Sequence, residues 1–574
     1  MEQLTERFQA ALAKAFGDEY ADADPVIRPS QFADFQANAA LALAKRLGDN
    51  PRAVAQQIVD ALDLSGIAEA PEISGPGFVN VRLTSAWIGD QVDRLDDRLG
   101  VPTQRQQTIP IDYSAPNVAK EMHVGHLRTT VVGDALARTL EHLGHHVIRQ
   151  NHVGDWGTPF GMLIEHLLVV GEDSDEARLL VTDPNAFYAS ANAEFESDPE
   201  FATKARARVV RLQAGDADTL RLWDELVDLS KQYFNRIYST LGVTLTDADL
   251  AGESTYNDEL AQICDELEAK GIATMSDGAL CVFLDGYLGR EGKPQPLIIR
   301  KSDGGYGYAT TDLATIRHRV RDLGSDRILY VIGAPQALHL HMVWDTARKA
   351  GWLPDDVEVV HVQIGNVLGE DRKLLRTRSG KPLKLMELLD EAVAHARKVV
   401  DEARPDLDPQ VRASIAPQVG IGAVKYADLA VAHDSEYVFD LDRMVSLTGN
   451  TGPYLQYAAA RIRSIFRSAG MDPDQLSGQA DAPLVITEPA ERALALALLD
   501  FGDVVVHVGD QLEPHRLCGY LFELAQHFSA FYEQCPVLKA DTEARASRLS
   551  LCRATLAVLD QGLDLLGIAR PPQM

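Results

Sequence analysis

The sequence predicts a multidomain α/β protein. It expects a parallel-sheet core split by an insertion, an α+β domain before the core and an all-helical domain after it. Three observations predict this. An apolar run, a polar loop and a helical pattern follow one another over residues 108–142, and a second apolar run follows at 145–151. That is strand, helix, strand, the βαβ unit of a parallel sheet. The α/β rhythm then breaks between about 171 and 295 and returns afterwards. From about 385 onward nearly every segment carries apolar residues at helical spacing. A chain of 574 residues is too long for one core, and three to five domains are expected.

Composition narrows the function classes. Apolar residues make up 46% and charged residues 24%, ordinary values for a soluble globular protein. No apolar run approaches the ~20 residues that span a bilayer. The opening Met1-Glu2-Gln3-Leu4-Thr5-Glu6-Arg7 is charged and lacks a signal-peptide core. Cys264, Cys281, Cys518, Cys535 and Cys552 form no Cys-x-x-Cys pair. Such a scattered, odd set fits free thiols in a reducing cytoplasm, the expected location. A net charge of −29 argues against indiscriminate nucleic-acid binding, which needs Lys and Arg on phosphates. It leaves room for a local basic patch and salt-sensitive, steered binding. The oligomeric state is not legible; a monomer is the working expectation.

Residues 1–107 read as a small separate domain. Leu4, Phe8, Leu12 and Phe16 recur at helical spacing, and further helices are expected over 31–47 and 51–64. Ile73-Ser74-Gly75-Pro76-Gly77-Phe78-Val79-Asn80-Val81-Arg82-Leu83 gives a Gly/Pro turn and an alternating strand.

Residues 108–170 hold the stretch around which the chain is organised. A turn built on Ser114, Pro116 and Asn117 follows the first strand, and His123-Val124-Gly125-His126 opens the helix. Residues three apart share one helical face. A helix N-terminus carries partial positive charge and unpaired N–H groups, which suits a phosphate. Gly125 would let a flat base lie close to the backbone. Paired histidines also suggest a metal, but no third ligand stands at zinc-like spacing. Asn151-His152-Val153-Gly154-Asp155-Trp156-Gly157-Thr158 then forms the loop at the carboxyl end of the second strand, where ligands bind in such folds.

Residues 171–295 read as the insertion, with helices at 202–214 and 218–241, a strand at 279–284 and acidic solvated faces. In residues 296–384 the sheet is expected to resume at Leu297-Ile298-Ile299-Arg300-Lys301. The loop 302–312 then enters a helix capped by Thr310 or Thr311. Further strands are expected at 326–333 and 358–364, with Gln336 and His339 on the helix between them. Tyr308, Asp312 and Gln336 thus fall at strand ends or in the first turns after them, although Asp312 alone could be a plain helix N-terminal charge. Arg376-Thr377-Arg378-Ser379-Gly380 belongs to a basic, glycine-bounded loop. Residues 385–445 form a helical connection and 446–574 a helical domain, with helices expected at 385–404, 408–426, 455–467, 491–512, 514–533 and 544–566. Arg461 and Arg463 could face out and meet phosphates. Tyr454 and Tyr457 could stack on bases or be core.

The run His123-Val124-Gly125-His126 resembles the signature of class I aminoacyl-tRNA synthetases. The preceding Asp112-Tyr113-Ser114-Ala115-Pro116-Asn117-Val118-Ala119-Lys120 is similar to arginyl-tRNA synthetases in particular. So are Asn151 to Thr158, the strand ending Gly-Phe-Val-Asn-Val-Arg-Leu, the string Gly449-Asn450-Thr451-Gly452-Pro453-Tyr454-Leu455-Gln456-Tyr457-Ala458 and the ending Gly567 to Met574. The resemblance covers nearly the whole chain, with its motifs in order.

The resemblance implies a Rossmann-like core, a tRNA-corner-binding domain at the amino end and an anticodon-binding domain at the carboxyl end. It implies an arginine–tRNA ligase: ATP activates L-arginine to arginyl-adenylate, the arginyl group moves to tRNA(Arg), and activation waits for bound tRNA. His123, His126 and Lys120 would hold the ATP phosphates beside Gly125, with Arg376 and Arg378 as helpers. The second lysine of the usual Lys-Met-Ser-Lys-Ser loop is missing here, and Lys120 would replace it. Tyr308, Asp312 and Gln336 would receive the guanidinium, a flat fork of donors that wants a carboxylate. Asp112, Ser114 and Asn117 would lie toward the rest of the amino acid. Gly333 stands where many members have Asp. Phe78 and Asn80 would bind a D-loop base by stacking and by reading its edge, or else be core and a satisfied strand residue. Tyr454, Tyr457, Arg461 and Met574 would face the tRNA near the anticodon. Mg²⁺ would travel with ATP, with no dedicated protein site. A nucleotidyltransferase of the same histidine class would not explain the helical carboxyl third. A non-catalytic tRNA-binding relative would have no use for both histidines with Asn117 and Asp312.

Overall fold

The structure is a computed structural model describing residues 2–289, 292–376, 383–472 and 483–574. The chain forms two compact units. One comprises Met1–Gly100, Ile465–Asp500 and Gln526–Ala557, the other Val101–Ser464, Phe501–Ala525 and Val558–Met574. The helices Gly452–Ser468, Pro514–Gln534 and Thr542–Leu565 therefore each contribute residues to both.

In the first unit, helices Glu2–Phe16, Ala39–Leu47 and Pro51–Ala61 accompany an antiparallel sheet. Its strand order is Ile27–Pro29, Phe35–Ala37, Phe78–Val81, Glu72–Ser74. The helix expected from residue 31 begins only at Ala39. Residues Phe35–Ala37 pair instead with strands on both sides, so tertiary strand pairing overrides the local apolar spacing. Val79 and Val81 are buried while Phe78 and Asn80 are half-buried on the opposite face.

The second unit is built on a four-stranded parallel sheet in the order Glu358–Ile364, Arg327–Gly333, Thr108–Asp112, His146–Gln150. Ile109, Ile111, Ile328 and Leu329 are fully buried in it. The strand order reverses between Thr108–Asp112 and Arg327–Gly333, which opens a crevice at their carboxyl ends. The helix Gly125–His142 crosses between the first two strands. It lies so near Tyr113 that a Cβ on Gly133 would sit 2.3 Å from the ring's Cγ, which makes glycine necessary there.

Between the sheet halves stand helices Thr158–Val170, Pro184–Ser197, Pro199–Gln213 and Ala217–Leu241. Then comes a separate antiparallel sheet of Ala273–Ser276, Ala279–Leu288 and Pro294–Arg300. This corrects the expectation that the parallel sheet resumes at Leu297; it resumes at Arg327. Leu297 and Ile299 are buried while Ile298 is 46% exposed. That alternation marks a one-sided antiparallel sheet. The threonine cap is also corrected: Thr310 donates to the Ile299 carbonyl and Thr311 to that of Tyr308, and Gly307 holds the cap position. The remaining helices are Leu385–Ala403, Pro409–Leu429, Gly452–Ser468, Pro489–Leu499, Phe501–Gln511, Pro514–Gln534 and Thr542–Leu565. The single helix expected over 491–512 is broken at Asp500, with Leu498 and Phe501 both fully buried. Among the described residues no helix is long and apolar enough to cross a membrane, and all five cysteines are buried free thiols.

Candidate active site

The loop between Asp112 and the histidine helix has an unusual backbone. Ser114, Ala115 and Ala119 all have positive φ, at 71°, 46° and 58°. Left-handed backbone costs an L-residue roughly 1 kcal/mol or more, so neighbours must hold it. Ala115 N donates to Asn151 Oδ1 at 3.1 Å and Ala119 N to Ser230 Oγ at 2.9 Å. A hydrogen-bond chain runs from Asn151 through Tyr238 and Ser114 to Thr130, which donates to the His126 carbonyl. Ser114 is thus a buried brace between the insertion and the histidine helix.

The histidine pair is fixed by backbone donors. Gly125 N donates to His123 Nδ1 at 3.0 Å, and His123 N donates to His126 Nδ1 at 3.1 Å. Each Nδ1 therefore accepts, and the proton of each neutral ring stands on Nε2. The rings lie 4.1 Å apart. Burial lowers the pKa of His123, and the Lys120 charge adds to this. Burial and His123 push His126 down to about 4. Both rings are neutral near pH 7, with N–H donors at Nε2 that carry no charge.

A cavity of about 1000 Å³ opens among the insertion, the loop after Asp112 and the helix Tyr308–Arg321. Asn117, Lys120, Tyr308 and Gln336 all line it, as does His339. The Tyr308 ring packs on His339 at 4.7 Å, and the tyrosine is 66% exposed. Asp312 reaches the group through His339, whose Nε2 lies 2.6 Å from Asp312 Oδ2. His152 Nε2 stands 3.7 Å from the other carboxylate oxygen. The cavity thus carries an ammonium at Lys120 and a carboxylate behind His339.

Other expected residues stand differently. Asp112 does not line the cavity: its Oδ2 accepts from fully buried Arg319 at 2.7 Å, while Oδ1 is buried without a hydrogen-bond partner among the described residues. His123, Gly125, His126 and Ser114 are not on the cavity wall either. Arg376 is exposed beyond the short pairing of Leu368 with Leu374. Arg378 lies outside the described residues. Asn80 is bonded on both sides of its amide, accepting from Gln36 at 2.8 Å and donating to Ser74 at 3.0 Å. Arg463, expected to face out, is buried against Asp560 at 2.6 Å, so its charge is already used; Arg461 is half-buried. Tyr454 meets Phe522 edge-on at 5.7 Å, and Tyr457 is half-buried. Met574 is buried, its carbonyl accepting from Arg404.

Sequence reasoning passed over Glu253, Tyr188 and His152. Glu253 lines the cavity, and burial pushes its carboxyl up to about 7; His152 opposes this while Asp312 and Asp155 add to it. The Tyr188 ring lies under the Lys120 ammonium. Neither Glu253 nor Tyr188 stands in a motif whose spacing points at a neighbour, so no local signal distinguishes these two. His152 alone offered one, its place directly after the second strand.

Residues 91–441 match the class I (R) tRNA synthetase catalytic domain, residues 455–574 the DALR anticodon binding domain and residues 2–83 the arginyl tRNA synthetase N-terminal domain. The chain is 70% identical to an arginine–tRNA ligase of Thermobifida fusca, covering 100% of this chain and 99% of that one. It is 54% identical to one of Frankia casuarinae, covering 97% and 96%. Among solved structures it is similar to the arginyl-tRNA synthetase of Plasmodium falciparum, with a TM-score of 0.82 at 28% identity over 100% and 99% of the chains. It is likewise similar to that of Thermus thermophilus, with a TM-score of 0.80 at 25% identity over all of both chains. With its catalytic, amino-terminal and anticodon-binding segments all matched in order, the chain belongs to the arginyl-tRNA synthetases of class I.

Proposed function

We propose that this chain joins L-arginine to tRNA(Arg) at the expense of ATP. The observation that carries the reading is one cavity lined by Asn117, Lys120, Tyr308 and Gln336, with Asp312 held behind His339 at 2.6 Å. An arginine carboxylate oxygen attacks the ATP α-phosphorus, the bond to the β-phosphate breaks, and pyrophosphate leaves. A ribose hydroxyl of the terminal tRNA adenosine then attacks the arginyl carbonyl and AMP leaves.

No covalent nucleophile from the protein is needed; catalysis rests on positioning and charge stabilisation. Lys120 supplies a positive charge to the phosphates, and the Nε2–H groups of His123 and His126 supply neutral donors. Arg376 and Arg378 assist them from the basic loop. Mg²⁺ arrives on the phosphates of ATP. Asp312 and Glu253 face the guanidinium, with Tyr308 packing on it and Gln336 accepting from it. Asn117 orients the amino-acid end, and Asp112 and Ser114 act from behind it. Phe78 meets the tRNA from residues 1–107, on a strand that Asn80 braces through Gln36 and Ser74, and Tyr454, Tyr457, Arg461 and Met574 act from residues 446–574. The protein works in the cytoplasm as a monomer, which light scattering would check. Arginine activation waits for bound tRNA.

ATP–pyrophosphate exchange tests the reading. Exchange is expected with arginine and tRNA together; exchange without tRNA removes the tRNA requirement, and none under any condition removes the ligase reading. Asp312→Asn should abolish most arginine use while sparing tRNA binding. Equal loss of both would remove Asp312 from the guanidinium site.

A further inference from the structure

Lys120 is held in an unusual way. Its Nζ lies 3.9 Å from the centre of the Tyr188 ring, within cation–π range, and both side chains line the cavity. Among the described residues Lys120 has no salt-bridge partner. A carboxylate clamp would neutralise the ammonium and would have to be broken before a phosphate could bind. A ring face steadies the same group and leaves its charge and outward N–H donors available. Lysine otherwise carries a compact charge on a flexible stem, so its ordering opposes binding.

The placement of the ring is built in. Tyr188 stands on helix Pro184–Ser197, whose start is fixed by Pro184 and by Asp183, the side chain of which accepts from Ala186 N. Next to Tyr188, Phe187 is fully buried with its ring 5.0 Å from that of His166. The residue after Lys120 is stapled to the same helix: Glu121 N donates to Asn185 Oδ1 at 3.1 Å, and Asn185 Nδ2 donates to Glu121 Oε2 at 2.8 Å. Lys384 closes the joint, 2.7 Å from Glu121 and 3.6 Å from Asp183. The insertion therefore carries the ring to the ammonium and grips the chain beside it.

We propose that Tyr188 is a positioning residue for ATP, holding the Lys120 ammonium uncompensated at the cavity wall so that it meets the leaving phosphates without prior ordering. This rests on Lys120 as a phosphate contact. The test is ATP–pyrophosphate exchange on the full chain with arginine and tRNA. Tyr188→Leu should raise the ATP KM about threefold to tenfold, the range of a half-exposed cation–π contact, with the arginine KM steady. Tyr188→Phe, which keeps the ring, should rescue most of the loss. In a Lys120→Met background Tyr188→Leu should add nothing. A parallel rise in both KM values, or an effect that persists in Lys120→Met, overturns the proposal. If Lys120→Met is crippled while Tyr188→Leu is normal, Tyr188 alone loses its role. If Lys120→Met has an ordinary ATP KM, the phosphate reading of Lys120 falls. Thermal melting of each variant separates these outcomes from misfolding.

Discussion

Arg128 Nε donates to Asp428 Oδ1 at 2.7 Å, and both side chains are fully buried. Arg128 stands on the histidine helix, Asp428 on helix Pro409–Leu429. The guanidinium also donates to the Ser435 carbonyl at 2.6 Å and lies over the Tyr437 ring. Tyr437–Val438 pairs in turn with Val367–Leu368, the strand ahead of the basic loop. One buried ion pair thus anchors the helix that carries His126 to the base of that loop. Removing one partner of a buried pair leaves a charge that nothing compensates, a loss of roughly 3–5 kcal/mol. Asp428→Ala should lower unfolding stability by about that much in urea, while Asp428→Asn, which keeps an acceptor, should lose less. An unchanged midpoint in Asp428→Ala would remove the anchor.

The histidine pair should not titrate near neutrality. Burial holds His126 at about 4 and lowers His123 from 6.5. At His126 the unfolded chain takes up a proton near 6.5 that the folded chain refuses until about 4, so stability falls as the pH drops through that window. At neutral pH both rings should show the Nε2-protonated neutral tautomer by nitrogen NMR. The ATP KM should carry no inflection from His126 near neutral pH. An imidazolium signal from His126 at that pH would sink this reading of the phosphate donors.

The histidine loop, the first two parallel strands and the carboxyl-terminal helices were legible because their signals are local: an apolar run, a turn of Ser, Pro and Asn, then helical spacing. Of Tyr308, Asp312 and Gln336, expected at strand ends or in the first turns after them, Tyr308 and Gln336 line one cavity with Asn117, whereas Asp312 stands behind His339. The antiparallel strand Pro294–Arg300 was not legible as such. Leu297-Ile298-Ile299 is an unbroken apolar run, and its one-sidedness shows only in the exposure of Ile298. Ser114 and Asp112 differ for another reason. Their partners, Tyr238 and Arg319, lie 124 and 207 residues away, beyond any local spacing. Glu253 owes its raised pKa to burial and to the charges of Asp312 and Asp155 from two other segments.

Glu253 should make arginine use depend on pH. Its folded pKa, about 7, lies above its ordinary 4.5 because burial disfavours the charge. The stability this contributes is full below about pH 4.5 and is lost as the pH rises through about 7. Glu253→Gln should flatten that dependence and make the variant relatively more stable above pH 7. A guanidinium favours the ionised carboxylate, so the arginine KM of the native chain should fall as the pH rises through 7 and stay level in Glu253→Gln. Matching pH profiles for the two proteins would remove Glu253 from the guanidinium site.

Phe78 and Asn80 share one face of a strand, yet their side chains are differently committed. The Asn80 amide is used by Gln36 and Ser74, whereas the half-buried Phe78 ring borders the Gly75 turn, where a Cβ would come within 3.1 Å of it. A half-buried ring can stack its face on an unpaired base, worth ~1–3 kcal/mol per base. Phe78→Ala should therefore weaken tRNA binding by about tenfold or more, with arginine and ATP KM values unchanged. Asn80→Ala strands two polar partners and should act mainly on stability, by roughly 1–3 kcal/mol. Filter binding and thermal melting on both variants separate the roles. If Asn80→Ala melts normally yet loses as much tRNA affinity as Phe78→Ala, the amide exchanges its internal bonds for a base edge, and the aromatic is not the sole contact on this strand.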